Sequence, residues 1–197
     1  MGARDNPLAF DEATHTYRFL GAVVPGVTQV LRPLANFDAV SREVLEAKRA
    51  LGQRVHLACQ LNDEDDLDWT SVEPDVAGYL NAWLAFRRDT GCEVLAVEQQ
   101  VCEPALQYAG TLDRVLAFRG SKWLVDLKTC FATPMAAGPQ TAAYLRALGD
   151  TSVTHRAALR LRPDGTYRLD HLTGADDWAV FMACLTLHRF KESHREH

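Results

Sequence analysis

Residues 108–144, YAGTLDRVLAFRGSKWLVDLKTCFATPMAAGPQTAAY, read as two strands, a loop and a helix. The first strand runs from Leu106 to Phe118, Arg119, Gly120 and Ser121 supply the turn, and Trp123 to Lys128 return. Side chains alternate across a strand, so Leu124, Asp126 and Lys128 share one face while Trp123, Val125 and Leu127 share the other. Both faces read as buried. A carboxylate and an ammonium on such a strand are costly unless they are paired or bind something. Hairpin pairing brings Asp113 towards Asp126. Two carboxylates converging near Lys128 repel one another unless a cation sits between them, so the pattern points to a metal site rather than a simple ion pair. Gly110 leaves room there for a close approach of backbone, metal or substrate.

Gly110-x-x-Asp113, Asp126-x-Lys128 and Gln140-x-x-x-Tyr144, in that order on strand, strand and helix, resemble the core of the PD-(D/E)XK nuclease superfamily in its RecB-like branch. The resemblance implies an α/β fold with a restriction-endonuclease-like core: a small central mixed sheet flanked by helices in the order αβββαβ. It also implies a Mg²⁺- or Mn²⁺-dependent deoxyribonuclease. The favoured activity is an exonuclease on DNA ends or single strands, in recombination, repair or phage DNA processing. The alternatives are a structure-specific endonuclease and a catalytically silent nuclease-fold DNA-binding module.

Several residue roles come from the resemblance. RecB-like nucleases place a metal-binding histidine on a helix upstream of the core, a few residues after a glycine, and the run from Gly52 to His56 matches this. A lone histidine beside an apolar stripe otherwise reads as structural. The expected ligands are His56, Asp113, Asp126 and the Leu127 carbonyl, with Lys128 beside them to orient or help deprotonate water. Glu98 lies on the preceding strand and reads either as a further ligand at the edge of the cluster or as an ordinary strand-end glutamate. Gln140 and Tyr144 are four residues apart on one helix and so adjacent. By resemblance they position the strand being cut; by themselves they are a helix's polar face. Arg114, Arg156 and Arg160 complete the expected substrate contacts. Arg156, Arg160 and Arg162 alternate with Leu159 and Leu161, and read either as a phosphate track or as solvated arginines on an edge hairpin.

Around this core, residues 11–25 read as a hairpin, and Thr28 as the N-cap of a short helix ending at Leu34. An amphipathic helix follows from Asp38 to Leu61, capped by Asp38 or Ser41, with Val44, Leu51, Val55 and Ala58 inward. Residues 62–75, NDEDDLDWTSVEPD, read as a solvated acidic connector, since they lack the glycine and terminal glutamate of a calcium loop. A helix from Pro74 to Thr90 ends at Gly91, and Trp83 on its stripe reads as core rather than as a base-stacking residue. A strand spans Glu93 to Val101, a helix Pro134 to Leu148, a hairpin Thr154 to Leu172, and a last helix follows a box-like cap at residues 173–176.

The 197 residues suit one nuclease domain, with residues 1–37 as an N-terminal hairpin and short helix and 38–197 as the core. No run is long enough to span a bilayer and the N-terminus lacks a signal-peptide core, which suggests a soluble cytoplasmic protein of a bacterial or phage-infected cell. Five scattered cysteines without a C-x-x-C pair suggest free thiols, and Cys184 alone near the C-terminus suggests no iron–sulfur cluster. The net charge of −5 is unevenly spread: residues 1–103 carry 9 basic and 17 acidic side chains, residues 104–197 carry 12 and 9. DNA remains the expected partner, because a local basic face matters more than the total.

Overall fold

The computed structural model describes residues 7–35 and 41–194. The expected boundary at residues 37 and 38, the cap at Asp38 and the first six residues lie outside the described residues. The fold is α/β, with a central mixed sheet flanked by helices.

Three short strands, β1 (Leu8–Asp11), β2 (Thr16–Phe19) and β3 (Ala22–Val24), form a small antiparallel sheet. The hairpin reading covered β2 and β3 and missed β1. A single helical turn, α1 (Val27–Val30), follows; its cap is Gly26 rather than Thr28, with the Gly26 amide donating to Gln29 Oε1 at 3.0 Å. Gly26 bridges Ala109 of the core, and the Ala109 amide donates to the Pro25 carbonyl at 3.0 Å, so the small sheet is bound to the main one.

Helix α2 (Arg42–Asp63) starts at Ser41, whose hydroxyl accepts from the Val44 amide. It buries Val55, Ala58 and Cys59, whereas Val44, expected inward, is exposed because the helix begins beyond the edge of the core. Helix α3 (Pro74–Thr90) ends on Gly91 in the left-handed conformation, and buries Trp83 as core. Strands β4 (Glu93–Glu103), β5 (Tyr108–Phe118) and β6 (Ser121–Lys128) form an antiparallel meander. Helix α4 (Ala137–Leu148) crosses from β6 to the parallel strand β7 (Val153–Leu161), and β8 (Tyr167–His171) returns antiparallel at the edge. The sheet order is β4-β5-β6-β7-β8.

Helix α5 (Asp177–Ser193) closes the chain. The box expected at residues 173–176 does not form: Asp176 caps without a side-chain hydrogen bond. The next carboxylate, Asp177, is taken by Arg156 at 3.0 Å. Helix α4 begins three residues later than expected, because residues 134–137 close as a tighter turn in which the Ala137 amide donates to the Pro134 carbonyl at 3.0 Å; Arg156 binds the Gly138 carbonyl in the first helical turn at 2.8 Å.

The alternation on β6 sorts the core into two layers. Trp123, Val125 and Leu127 pack with α2 and α3, while Leu124 packs with α1, α4 and α5. Asp126 and Lys128 therefore emerge on the α4 side of an apolar strand. No helix among the described residues is long and apolar enough to cross a membrane.

Candidate metal centre and its cleft

The site forms where β5 and β6 part. Their ladder is in register from Phe118 opposite Ser121 to Arg114 opposite Val125, which sets Asp113 and Asp126 as the next facing pair. At that point the Asp113 carboxylate takes over from the backbone: Oδ2 accepts the Leu127 amide at 2.6 Å. The Leu127 carbonyl faces His56, whose Nε2 lies 3.1 Å away. His56 Nδ1 lies 3.8 Å from Asp113 Oδ2 and 3.7 Å from Glu98 Oε1. Each of His56, Glu98 and Asp113 brings one ligand atom within 4.8 Å of the others, a spacing that fits oxygen and nitrogen donors about 2.0–2.6 Å from a shared divalent ion.

Glu98 reaches this group by an unusual backbone. It faces Asp113 across β4 and β5, just beyond a register shift between Val94 and Ala96, and adopts φ +42°. Left-handed backbone at a non-glycine strand residue costs on the order of 1–3 kcal/mol. The carboxylate it places is held by Arg114 Nη1 at 3.1 Å.

Asp126 tests whether an ion fits. Its side chain is buried, Lys128 Nζ stands 2.5 Å from Oδ2 without hydrogen-bond geometry, and Oδ1 accepts no hydrogen bond among the described residues. His56, Glu98 and Asp113 are a donor set suited to Mg²⁺ or Mn²⁺; Asp126 lies outside that group, close enough for its charge to act on Asp113 and His56, and its buried oxygen without a hydrogen bond favours a cation nearby. Burial pushes the Asp126 pKa up; Lys128 opposes this and Asp113 adds to it, giving a net rise. For Lys128 the balance is reversed. Burial favours the neutral amine, but Asp126 and Asp113 outweigh it and keep the ammonium charged. His56 is likewise opposed by burial but raised by Asp113 and Glu98, to about 9.

Lys128 Nζ also donates to Gln140 Oε1 at 3.3 Å, and Gln140 Nε2 donates to the Tyr144 hydroxyl at 3.3 Å. The α4 pair therefore continues the polar chain that starts at Asp126. The Tyr144 ring lies over Gly110, where an added Cβ would sit 2.5 Å from Cε1. Gly110→Ala should displace Tyr144 and cost roughly 1–3 kcal/mol, as overpacking does. Urea denaturation checks this, and Tyr144→Leu in the same chain should recover most of the loss.

These groups line a cleft of about 590 Å³. Its floor is β4, β5 and β6; α2 supplies Arg49, Gln53 and His56, and α4 supplies Gln140 and Tyr144. The three arginines expected to contact substrate lie elsewhere. Arg114 faces away from Asp113 on the same strand, fully buried, where Asp63 Oδ2 binds Nε at 2.8 Å. Arg156 is spent on Gly138, Thr141 and Asp177. Arg160 is spent on Asp170 at 2.5 Å and on the Phe131 carbonyl, and Arg162 lies over the Phe131 ring. None of them forms a solvated phosphate track.

Among solved structures, the chain is similar to an alkaline exonuclease (LHK-Exo) from Laribacter hongkongensis. The identity is 13%, over 87% of this chain and 92% of that one, with a TM-score of 0.38. No known family's profile and no curated protein's sequence matches the chain. The site therefore rests on its own geometry.

Asp63 was hidden in the acidic connector. Its carboxylate is fully buried at the end of α2, accepting from Arg114 Nε and, through Oδ1, from Arg87 Nη1 and Trp83 Nε1 at 2.9 Å each. The signal that could have found it is helical: Asp63 follows His56 by seven residues and Cys59 by four, so it continues their inward face.

Proposed function

We propose that this chain is a divalent-metal-dependent nuclease that hydrolyses phosphodiester bonds of DNA, acting on ends or single strands. The observation that carries this reading is the buried Asp126 oxygen without a hydrogen bond, set beside Asp113, His56 and the Leu127 carbonyl in an open cleft. His56, Glu98 and Asp113 would hold the ion, with Asp126 and the Leu127 carbonyl as the further ligands beside them. An ion held there would supply Lewis-acid chemistry, activating water and offsetting charge on the phosphate.

The residues around it divide the remaining work. In hydrolysis a water oxygen bonds to phosphorus as a P–O ester bond breaks; the water proton passes to solvent and the leaving oxygen takes one from solvent. Lys128, kept charged by Asp126 and Asp113, serves as a donor to the oxygens on which negative charge builds and not as the base. Gln140 holds Lys128 Nζ in place and presents its amide and the Tyr144 phenol to the strand.

The test is a gel assay of the purified chain on linear single-stranded, linear duplex and covalently closed circular DNA, with Mg²⁺, Mn²⁺ or EDTA. Metal-dependent loss of linear DNA with the circle spared is the expected result. Nicking of the circle identifies an endonuclease, and DNA binding without cutting in any metal replaces the reading with a silent binding module.

Ion binding should depend on pH through His56. Coordination needs the neutral imidazole, so below about pH 9 the ion must displace a proton. Affinity for Mn²⁺ should rise by up to about tenfold per pH unit between pH 7 and 9 and then level off. Calorimetry in buffers of different ionisation enthalpy reads the released proton. Affinity independent of pH over that range would remove His56 from the ligand set. Without the ion, protonated His56 stabilises the fold fully below pH 6.5, and this contribution is lost as the pH rises through about 9.

A further inference from the structure

The cleft has a wall that hydrolysis leaves unused: the β1–β2 hairpin, which lines it with Phe10, Glu12, His15 and Tyr17. The aromatic rings are ordered against one another. Phe10 stacks on Tyr17 with centroids 4.5 Å apart, and His15 meets Phe10 edge-on at 5.1 Å. Tyr17 is buried and anchors the group, its hydroxyl sharing a hydrogen bond of 2.9 Å with Thr111 Oγ1 on β5.

An aromatic cluster on a hairpin ordinarily covers a core, and Tyr17 does so with Leu8, Val24 and Ala109. Phe10 packs against the same cluster from its edge, and His15 departs from it. Phe10 is half-buried and His15 is exposed, yet both border the cleft. His15 is presented by a left-handed backbone, φ +50°, that favours glycine, in a turn tied by the Thr14 amide to Asp11 Oδ1 at 3.2 Å. The turn thus holds an imidazole where a glycine would be less strained.

The position relative to the carboxylates is fixed by β5. Thr111, which anchors Tyr17, precedes Asp113 by two residues, about 7 Å along a strand. That spacing locates the Tyr17 anchor; the Phe10 and His15 rings lie 4.5 and 6.0 Å from the Tyr17 ring, centroid to centroid, so the platform stands a short stretch of strand away from the carboxylates. A duplex keeps its bases stacked inside, whereas an unpaired base offers a free face to a ring.

We propose that Phe10 and His15 form a stacking platform for an unpaired nucleobase near the phosphate bound at Asp113 and Asp126, so that the cleft selects single-stranded ends. This rests on the nuclease reading of the same site. Arg49, exposed on the α2 wall, is placed to meet the backbone of that strand in place of the arginines that are spent elsewhere.

The experiment measures fluorescence anisotropy of a short labelled single-stranded oligodeoxynucleotide with the full chain carrying Lys128→Ala, in Mg²⁺, alongside cleavage by the parent chain. His15→Gly should melt at or above the temperature of its Lys128→Ala parent, because it relieves the backbone, yet weaken binding about 5- to 100-fold. His15→Trp should restore binding. Moving one abasic nucleotide along the strand should reveal a position where the missing base weakens binding to the His15 protein by a similar factor but costs nothing with His15→Gly. Equal affinity of the two proteins, with the abasic penalty unchanged, overturns the platform while cleavage by the parent leaves the nuclease standing. Neither binding nor cleavage overturns both.

Discussion

Asp126→Asn should yield a folded protein that still binds DNA and, on the nuclease reading, cleaves it at least about 10³ times more slowly than the parent. The substitution keeps the shape of the side chain and removes the charge that would hold the ion and balance Lys128. Its effect on stability depends on pH and on metal. Burial raises the Asp126 pKa, so the ionised carboxylate opposes folding: the penalty is absent below the ordinary carboxylate pKa and grows as the pH rises past it. The variant escapes that penalty but leaves Lys128 without its counter-charge, so in EDTA the two effects offset, and acidification from pH 7 towards 5 should stabilise the parent relative to the variant. In excess Mg²⁺ the variant should melt below the parent, because only the parent keeps the full ligand set. Parallel melting curves and single-turnover cleavage read all three effects. Wild-type cleavage by the variant would remove Asp126 from the chemistry.

Asp63→Ala should cost about 3–5 kcal/mol of stability, the usual loss when one partner of a buried ion pair is removed. For a chain of this size that is a drop in melting temperature of roughly 6–20 °C. The reason is the company Asp63 keeps: Arg114 and Arg87 both bind it, and Arg114 is fully buried. Without it, Arg114 retains Glu98 and its neighbouring main-chain carbonyl at Asp113 as acceptors. Replacing both charges together, Asp63→Leu with Arg114→Met, should recover only part of the loss, since Arg87, the Trp83 indole N–H and Glu98 still lose their partners. Urea titration of the single and double variants decides it. A loss below about 1 kcal/mol in Asp63→Ala would mean that the arginines find water or another acceptor.

The sheet and its helices were legible because β5 and β6 carry their alternation openly and α3 carries both its start signal, Pro74, and its stop signal, Gly91. Asp113, Asp126 and Lys128 were legible for a related reason: charges on a strand otherwise made of Leu, Val and Trp are conspicuous. What was not legible depended on partners distant in sequence. Arg114 was assigned to substrate although strict alternation already turned it away from Asp113. Arg156 and Arg160 looked solvated because their acceptors, Asp177 and Asp170, lie on other elements. Asp63 was lost among neighbouring acids because composition was weighed over helical phase. Strand β1, whose residues 8–11 precede the hairpin that was read, was missed.

Leu127 gives both of its peptide groups to the site: its N–H goes to Asp113 and its C=O faces His56. An apolar residue with its side chain in the core thus reports at its backbone on the state of the centre. The amide resonance of Leu127, and the rate at which its proton exchanges with solvent, should respond to ion loading as strongly as any group outside the ligand set, although no atom of its side chain takes part.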